Sequence, residues 1–327
     1  MFALALPLLQ LIVGTTERLP APGEDYARAV ARVEARQAAD DSVVATGARS
    51  ILMAHGDRTP RVYLLLHGFT DSPTQFLPLG DKLFAAGDNV FIPRLPHHAE
   101  REGRVRALGK LSAAELEAFG DSVYDVARGL GDSVIVVGLS AGGNIAGSIA
   151  QHHDISRAVL IAPAIAAGRV SDDGARTLVL LGSTLPNITR SEAPDTTRPD
   201  FIQGISTKGL ASVLKLGENV RNEADRKPGQ AAQIVFLMNQ NDRTVSQDAA
   251  IDLARKWQKG KPLVSVYQFP GRLGLGHNVL ETAERGGSPD LVLPVVEALA
   301  RGLKVPETVQ YQFIVSDWNR PREPERG

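Results

Sequence analysis

The chain has 327 residues, with 36 Lys and Arg against 37 Asp and Glu, 43% hydrophobic side chains, 31 Gly, 20 Pro and no Cys. A formal charge of −1 leaves no global field to gather nucleic acid or an anionic surface, so nucleic acid is not an expected partner. Without cysteine there is no disulfide, thiol nucleophile, iron–sulfur cluster or thiolate zinc site, and any metal would rest on His and carboxylates.

At the start of the chain, Phe2 to Val13 is apolar apart from Gln10. It is shorter than the ~20 residues of a spanning helix and lacks the Lys or Arg that normally precedes a secretory apolar stretch. It reads as an incomplete export signal, as an interfacial anchor giving peripheral membrane contact, or as an apolar element packed on the domain. The first two readings place the protein outside the cytoplasm or at a membrane, the third in the cytoplasm. With the Pro/Gly stretch that follows, it makes a segment and linker over residues 1–23. Glu24–Asp40 then carries Tyr26, Val30 and Val33 at helical spacing, and Ser42–Ala54 reads as extended.

Short β-rich apolar runs predict strands at Arg61–Leu66, Val90–Pro93, Val134–Val137, Ala158–Ile161, Ile234–Met238 and Leu263–Phe269. Between them, Leu116, Phe119, Val123, Val126 and Leu130 share one helical face, opened by the capping box Ser112-Ala-Ala-Glu115. Ser246 opens another helix with Ala250, Leu253, Ala254 and Trp257 on one side, and Ser288-Pro289 starts a last one running toward Leu303. Aliphatic strands alternating with amphipathic helices imply an α/β fold, a mostly parallel twisted sheet covered by helices on both faces. The alternation breaks between Ala164 and Gln230, far beyond the usual connection of about 2–6 residues. This polar stretch is read as a lid inserted over about 164–230, with one short helix at Leu210, Val213, Leu214 and Leu216. The domain proper is expected over 24–303, followed by a polar, loosely held tail over 304–327.

The strand VIVV runs directly into Gly138-Leu139-Ser140-Ala141-Gly142-Gly143, and Asn144, Ile145 and Ile149 continue at helical spacing. A G-x-S-x-G match is weak by itself in a glycine-rich chain, but a strand turning at once into a helix gives it a mechanism. The turn strains the residue between, demands small neighbours on either side, and holds the Ser140 hydroxyl at the carboxyl edge of the sheet beside a helix N-terminus. Ser140 is the predicted nucleophile.

Upstream, Arg61–Phe76 reads RVYLLLHGFTDSPTQF. HGF after an aliphatic strand, with GLSAGG further along, resembles the α/β-hydrolase superfamily, in the carboxylesterase, monoacylglycerol lipase and serine aminopeptidase-like branch; the resemblance covers Ala54 to Leu303. It implies an oxyanion hole from the backbone N–H groups of Phe69 and Ala141, with His67 and Gly68 supporting that loop and Gly138 and Gly142 supporting the serine turn. His67 is expected to anchor the loop rather than act as base. The physics of acyl transfer agrees, since a tetrahedral intermediate needs fixed donors at its oxygen.

A serine hydroxyl needs a base, and the base needs an orienting carboxylate; chain order in this superfamily is serine, acid, histidine. Asp242 lies in the loop after Ile234–Met238 and fits the acid, ahead of Asp248 and Asp252 on the next helix and Asp172 and Asp173 earlier in the chain. The glycine-rich loop Pro270–Asn278 carries His277, the sole histidine after Asp242 and the predicted base. The adjacent pairs His97-His98 and His152-His153 do not have the i, i+4 spacing of helical metal ligands, so no metal is expected. Pro93–Ala99 resembles a family loop, with Ala99 where the family carries glycine. No cofactor is expected, because GLSAGG lacks the Lys-Ser/Thr ending of a phosphate loop and the acidic partner of a dinucleotide fingerprint. These residues point to a serine hydrolase acting on a small to medium hydrophobic ester. Amide or thioester hydrolysis on the same machinery and a non-catalytic ligand-binding protein are the alternatives.

Overall fold

The runs of Val, Ile and Leu pair with one another as strands buried on both faces must. In the computed structural model, which describes residues 22–44, 47–101, 104–168, 172–191, 198, 200–282, 285–306 and 312–314, the chain runs as follows. α1 (Pro22–Val43) precedes β1 (Ile51–Met53) and β2 (Thr59–Leu66); α2 (Leu77–Ala85), β3 (Asn89–Ile92), a single turn α3 (Arg104–Ala107), α4 (Ala113–Leu130), β4 (Gly131–Leu139), α5 (Ala141–His152) and β5 (Arg157–Ile161) follow. After β5 come α6 (Asp172–Thr184), β6 (Thr189–Ser191), β7 (Gly204–Ser206) and α7 (Thr207–Ala224), then β8 (Gln233–Asn239), α8 (Gln247–Gln258), β9 (Leu263–Phe269), α9 (Pro289–Arg301) and β10 (Gln312–Ile314).

One sheet of eight strands has the order β1-β3-β2-β4-β5-β8-β9-β10, parallel from β3 to β9 with an antiparallel strand at each edge. Alternate side chains of each strand serve opposite cores. Leu64 and Leu66 join Val136, Leu160 and Phe236 on the face covered by α1, α4, α5 and α8, while Tyr63 and Leu65 join Val137, Ile161 and Phe269 on the face covered by α2 and α9. The parallel direction aligns the carboxyl ends of β2, β4, β8 and β9 along one rim, where an open α/β sheet places its site.

Several elements differ from expectation. The Glu24–Asp40 helix continues to Val43, so the extended stretch expected over Ser42–Ala54 shrinks to Ile51–Met53. Ser112 caps α4 by accepting the Glu115 amide at 3.1 Å, but the Glu115 carboxylate turns to His97 Nε2 at 3.1 Å rather than back to the cap. The short helix expected at Leu210 is the 18-residue α7, whose Val213, Leu216 and Val220 are buried in the main core. Within the expected tail, Gln312–Ile314 pairs with Ser265–Tyr267 of β9 as an edge strand. The apolar segment Phe2–Val13, and with it the expected membrane contact, lies outside the described residues. No helix among the described residues is long and apolar enough to cross a membrane.

Candidate active site

Ser140 stands between β4 and α5 with φ 54° and ψ −110°, a backbone state L residues avoid, at a cost of about 1–3 kcal/mol. The surroundings enforce it. A Cβ on Gly138 would lie 2.1 Å from the Gly142 carbonyl oxygen, and one on Gly142 would lie 2.0 Å from that of Leu66, so both flanks must be glycine. Ser140 N–H donates to the Ile161 carbonyl at 2.9 Å, and the Ser140 carbonyl accepts from Asn144 and Ala164 at 3.1 and 3.3 Å. The turn is thereby tied to β5 and to the start of the insertion.

Asp242 follows β8. Its Oδ1 accepts the amides of Thr244 and Val245 at 2.8 and 3.3 Å, which fixes the carboxylate, and its side chain is 1% exposed. His277 Nδ1 lies 2.7 Å from Asp242 Oδ2, and His277 Nε2 lies 2.9 Å from Ser140 Oγ. A carboxylate can only accept, so Nδ1 carries the proton and Nε2 presents its lone pair to the serine hydroxyl. Of the competing aspartates, Asp252 on α8 accepts from Arg221 at 2.7 Å and Asp248 sits in the first turn of α8, while Asp172 and Asp173 are the first residues of α6.

Two supports were not read from the sequence. Asn239, at the end of β8, donates to the carbonyls of Leu275 and Gly276 at 2.6 and 2.7 Å and holds the loop that delivers His277. Gln75 accepts the Gly68 N–H at 2.8 Å while donating to Asp71 at 2.7 Å, stiffening the loop that carries Phe69. The signal for Asn239 was its place three residues before Asp242; Gln75 had none.

The backbone N–H groups of Phe69 and Ala141 make no hydrogen bond to another described residue, and Ala141 is the first residue of α5. His67 is fully buried beneath this loop, donating from Nδ1 to the Gly68 carbonyl at 2.9 Å and accepting the Leu95 N–H on Nε2 at 3.0 Å. Burial first, and then neighbouring His98, push its pKa well below the ordinary histidine value, so it is neutral and both nitrogens are occupied. His98 is likewise buried, which lowers its pKa to about 4. Ala99 adopts φ 52°, the left-handed conformation that a glycine would enter more easily. Away from the rim, Glu117, His152 and Glu223 bring ligand atoms within 4.8 Å of one another, while His153 turns to Asp121 at 2.7 Å.

A parallel sheet whose carboxyl rim gathers a strained serine, a histidine and a buried aspartate is the architecture of a hydrolase. The model described as "Alpha/beta hydrolase family" matches residues 63–288, and the chain belongs to that family. It stands in the monoacylglycerol lipase-like branch. The thermostable monoacylglycerol lipase of Bacillus sp. (strain H-257) is 30% identical over 189 residues, 53% of this chain and 68% of the relative. Among solved structures, the monoacylglycerol lipase of Paleococcus ferrophilus superposes with a TM-score of 0.57 at 20% identity, over 77% of this chain and 98% of that one. A structure from work on the metagenome-derived lipolytic enzymes LipS and LipT gives a TM-score of 0.57 at 17% identity, over 79% of this chain and 99% of that one. At these identities the structures speak for the fold.

Proposed function

We propose that this hydrolase cleaves carboxylic esters through an acyl-enzyme on Ser140. The observation that carries the reading is the His277 ring bridging Asp242 and Ser140 at 2.7 and 2.9 Å. His277 Nε2 takes the Ser140 proton as Oγ attacks the ester carbonyl, Asp242 holds the imidazole in the required tautomer and stabilises its cation, and the same proton passes to the leaving alkoxide. The Phe69 and Ala141 amides hold the oxyanion; a donor of this kind is worth about 2.7–4 kcal/mol to the transition state. Water then enters against the acyl-enzyme, with His277 again as base.

A small to medium lipid ester is the favoured substrate. The monoacylglycerol lipase relative supports it, as does the position of the insertion as a lid. Ile202 N–H donates to the Thr70 carbonyl at 2.8 Å, and a Cβ on Gly209 would lie 3.0 Å from the Phe69 ring, so the middle of the insertion meets the Phe69 loop. The decisive experiment is release of p-nitrophenol from p-nitrophenyl butyrate, with covalent labelling by a fluorophosphonate mapped by peptide mass spectrometry. Turnover with the label on Ser140 is expected; a protein silent to both probes is not a serine hydrolase.

A further inference from the structure

The insertion does more than lie beside the site. Its Arg198 donates to three carboxylates at once: Nη2 to Asp71 Oδ1 at 2.8 Å, Nη1 to Glu281 Oε2 at 3.0 Å, and Nε and Nη2 to Asp200 at 3.1 Å each. Asp71, Asp200 and Glu281 are only 2%, 6% and 5% exposed. These partners occupy functional loops. Asp71 belongs to the Phe69 loop and accepts from Gln75, which in turn holds Gly68. Glu281 lies four residues beyond His277 in the segment that delivers the base. Asp200 accepts from Ser72 and Thr74 of the Phe69 loop, and Arg285, after His277, lies 4.5 Å over the Phe201 ring.

We propose that Arg198 is a positioning residue for catalysis, clamping the loop that carries the Phe69 oxyanion donor and the segment that carries His277 into one frame around Ser140. The inference rests on the hydrolase reading above. Without the guanidinium, three buried carboxylates would face one another across the two loops that must stay in register, an uncompensated arrangement that drives them apart. Lysine cannot replace it fully, because one ammonium point charge does not reproduce a planar fork reaching three acceptors.

The cluster's protons give the clamp a pH signature. Asp71 faces Glu281 from the His277 segment and accepts from Arg198 of the insertion and from the Ser72 N–H and Gln75 of its own loop, while Arg198 also donates to Asp200 and Thr74. Burial, then the charge of Glu281, push the Asp71 carboxyl up to about 7 despite Arg198. Burial opposes ionisation of Asp200, but hydrogen bonds from Arg198, Ser72 and Thr74 outweigh it and hold its pKa at about 2. Asp71 is therefore protonated below about 7, and above it a charged Asp71 faces Glu281 across the clamp. A carboxyl raised in the folded state contributes stability below its unfolded value of ~3.9 and loses that contribution progressively as pH climbs to about 7.

The test compares wild type with Arg198→Ala, Arg198→Lys and Glu281→Gln in p-nitrophenyl butyrate turnover, fluorophosphonate labelling and thermal unfolding. In folded Arg198→Ala, kcat and the labelling rate are expected to fall at least about tenfold with KM within about threefold, and Arg198→Lys to recover part of the loss. Wild-type turnover is expected to decline above pH ~7, whereas Glu281→Gln, whose amide donates to Asp71 at every pH, removes that decline. Labelling of Arg198→Ala at the wild-type rate overturns the proposal and leaves the hydrolase reading standing. So does a Glu281→Gln profile that retains the wild-type decline. Should Arg198→Ala not fold, the Lys variant and the Glu281→Gln profile decide, and an Arg198→Lys enzyme of wild-type rate counts against the clamp. A wild-type protein silent to both probes removes the hydrolase reading and this inference together.

Discussion

The serine turn and the insertion lie against the same rim but are held by different physics. Around Ser140 the constraint is steric: backbone atoms approach so closely that a single methyl at Gly138 or Gly142 would sit about 2 Å from a carbonyl oxygen. The insertion instead reaches the rim through polar links to the Phe69 loop and the His277 segment, while its outer side leaves Leu180 62% and Ile188 66% exposed. The turn thus admits one geometry whatever is bound. The insertion is anchored by α7 in the main core and meets the rim loops through charge and hydrogen bonds.

Three substitutions would break or sharpen this contrast. The largest effect is expected for Ser140→Ala, which should lower kcat for p-nitrophenyl butyrate by at least about 10³, or ~4 kcal/mol of transition-state stabilisation, with an unchanged fold by circular dichroism. A smaller loss would place the nucleophile elsewhere. Gly142→Ala comes next, because its methyl meets the rigid carbonyls of Leu66 and His67 rather than a flexible side-chain end. It should lose roughly 3–5 kcal/mol of stability by urea unfolding, and a variant as stable as wild type would show that the turn can relax. The smallest effect belongs to Ile188→Ser on the exposed side of the insertion, expected to change stability by no more than ~0.5 kcal/mol. A substantially greater loss would mean that this surface is covered in solution.

What the sequence disclosed follows the same division. Ser140, Asp242 and His277 could be singled out because each follows a recognisable aliphatic strand, Ser140 at once and the other two in the loop beyond, and local pattern marks such places even when side chains meet from 137 residues apart. The aliphatic strands were legible for the same reason. The contacts of Arg198 were not, since its partners Asp71 and Glu281 lie 127 and 83 residues away and share no periodicity or spacing rule with it. Nor was the edge strand Gln312–Ile314, three residues in a polar tail whose pairing depends on the open edge of β9. The insertion's α6 and the β6–β7 pair escaped as well: the apolar residues of α6 are bunched at Leu178–Leu181 rather than spaced by helical turns, and β6 and β7 are three residues each.

The φ of 54° at Ser140 sets fold and chemistry in opposition at a single position. Glycine would sit there without complaint, so the inert protein with Gly at this site ought to be the sturdier of the two. On the proposed mechanism, the molecule tolerates a weak point in its scaffold because relaxing that point would also remove the hydroxyl assigned as nucleophile.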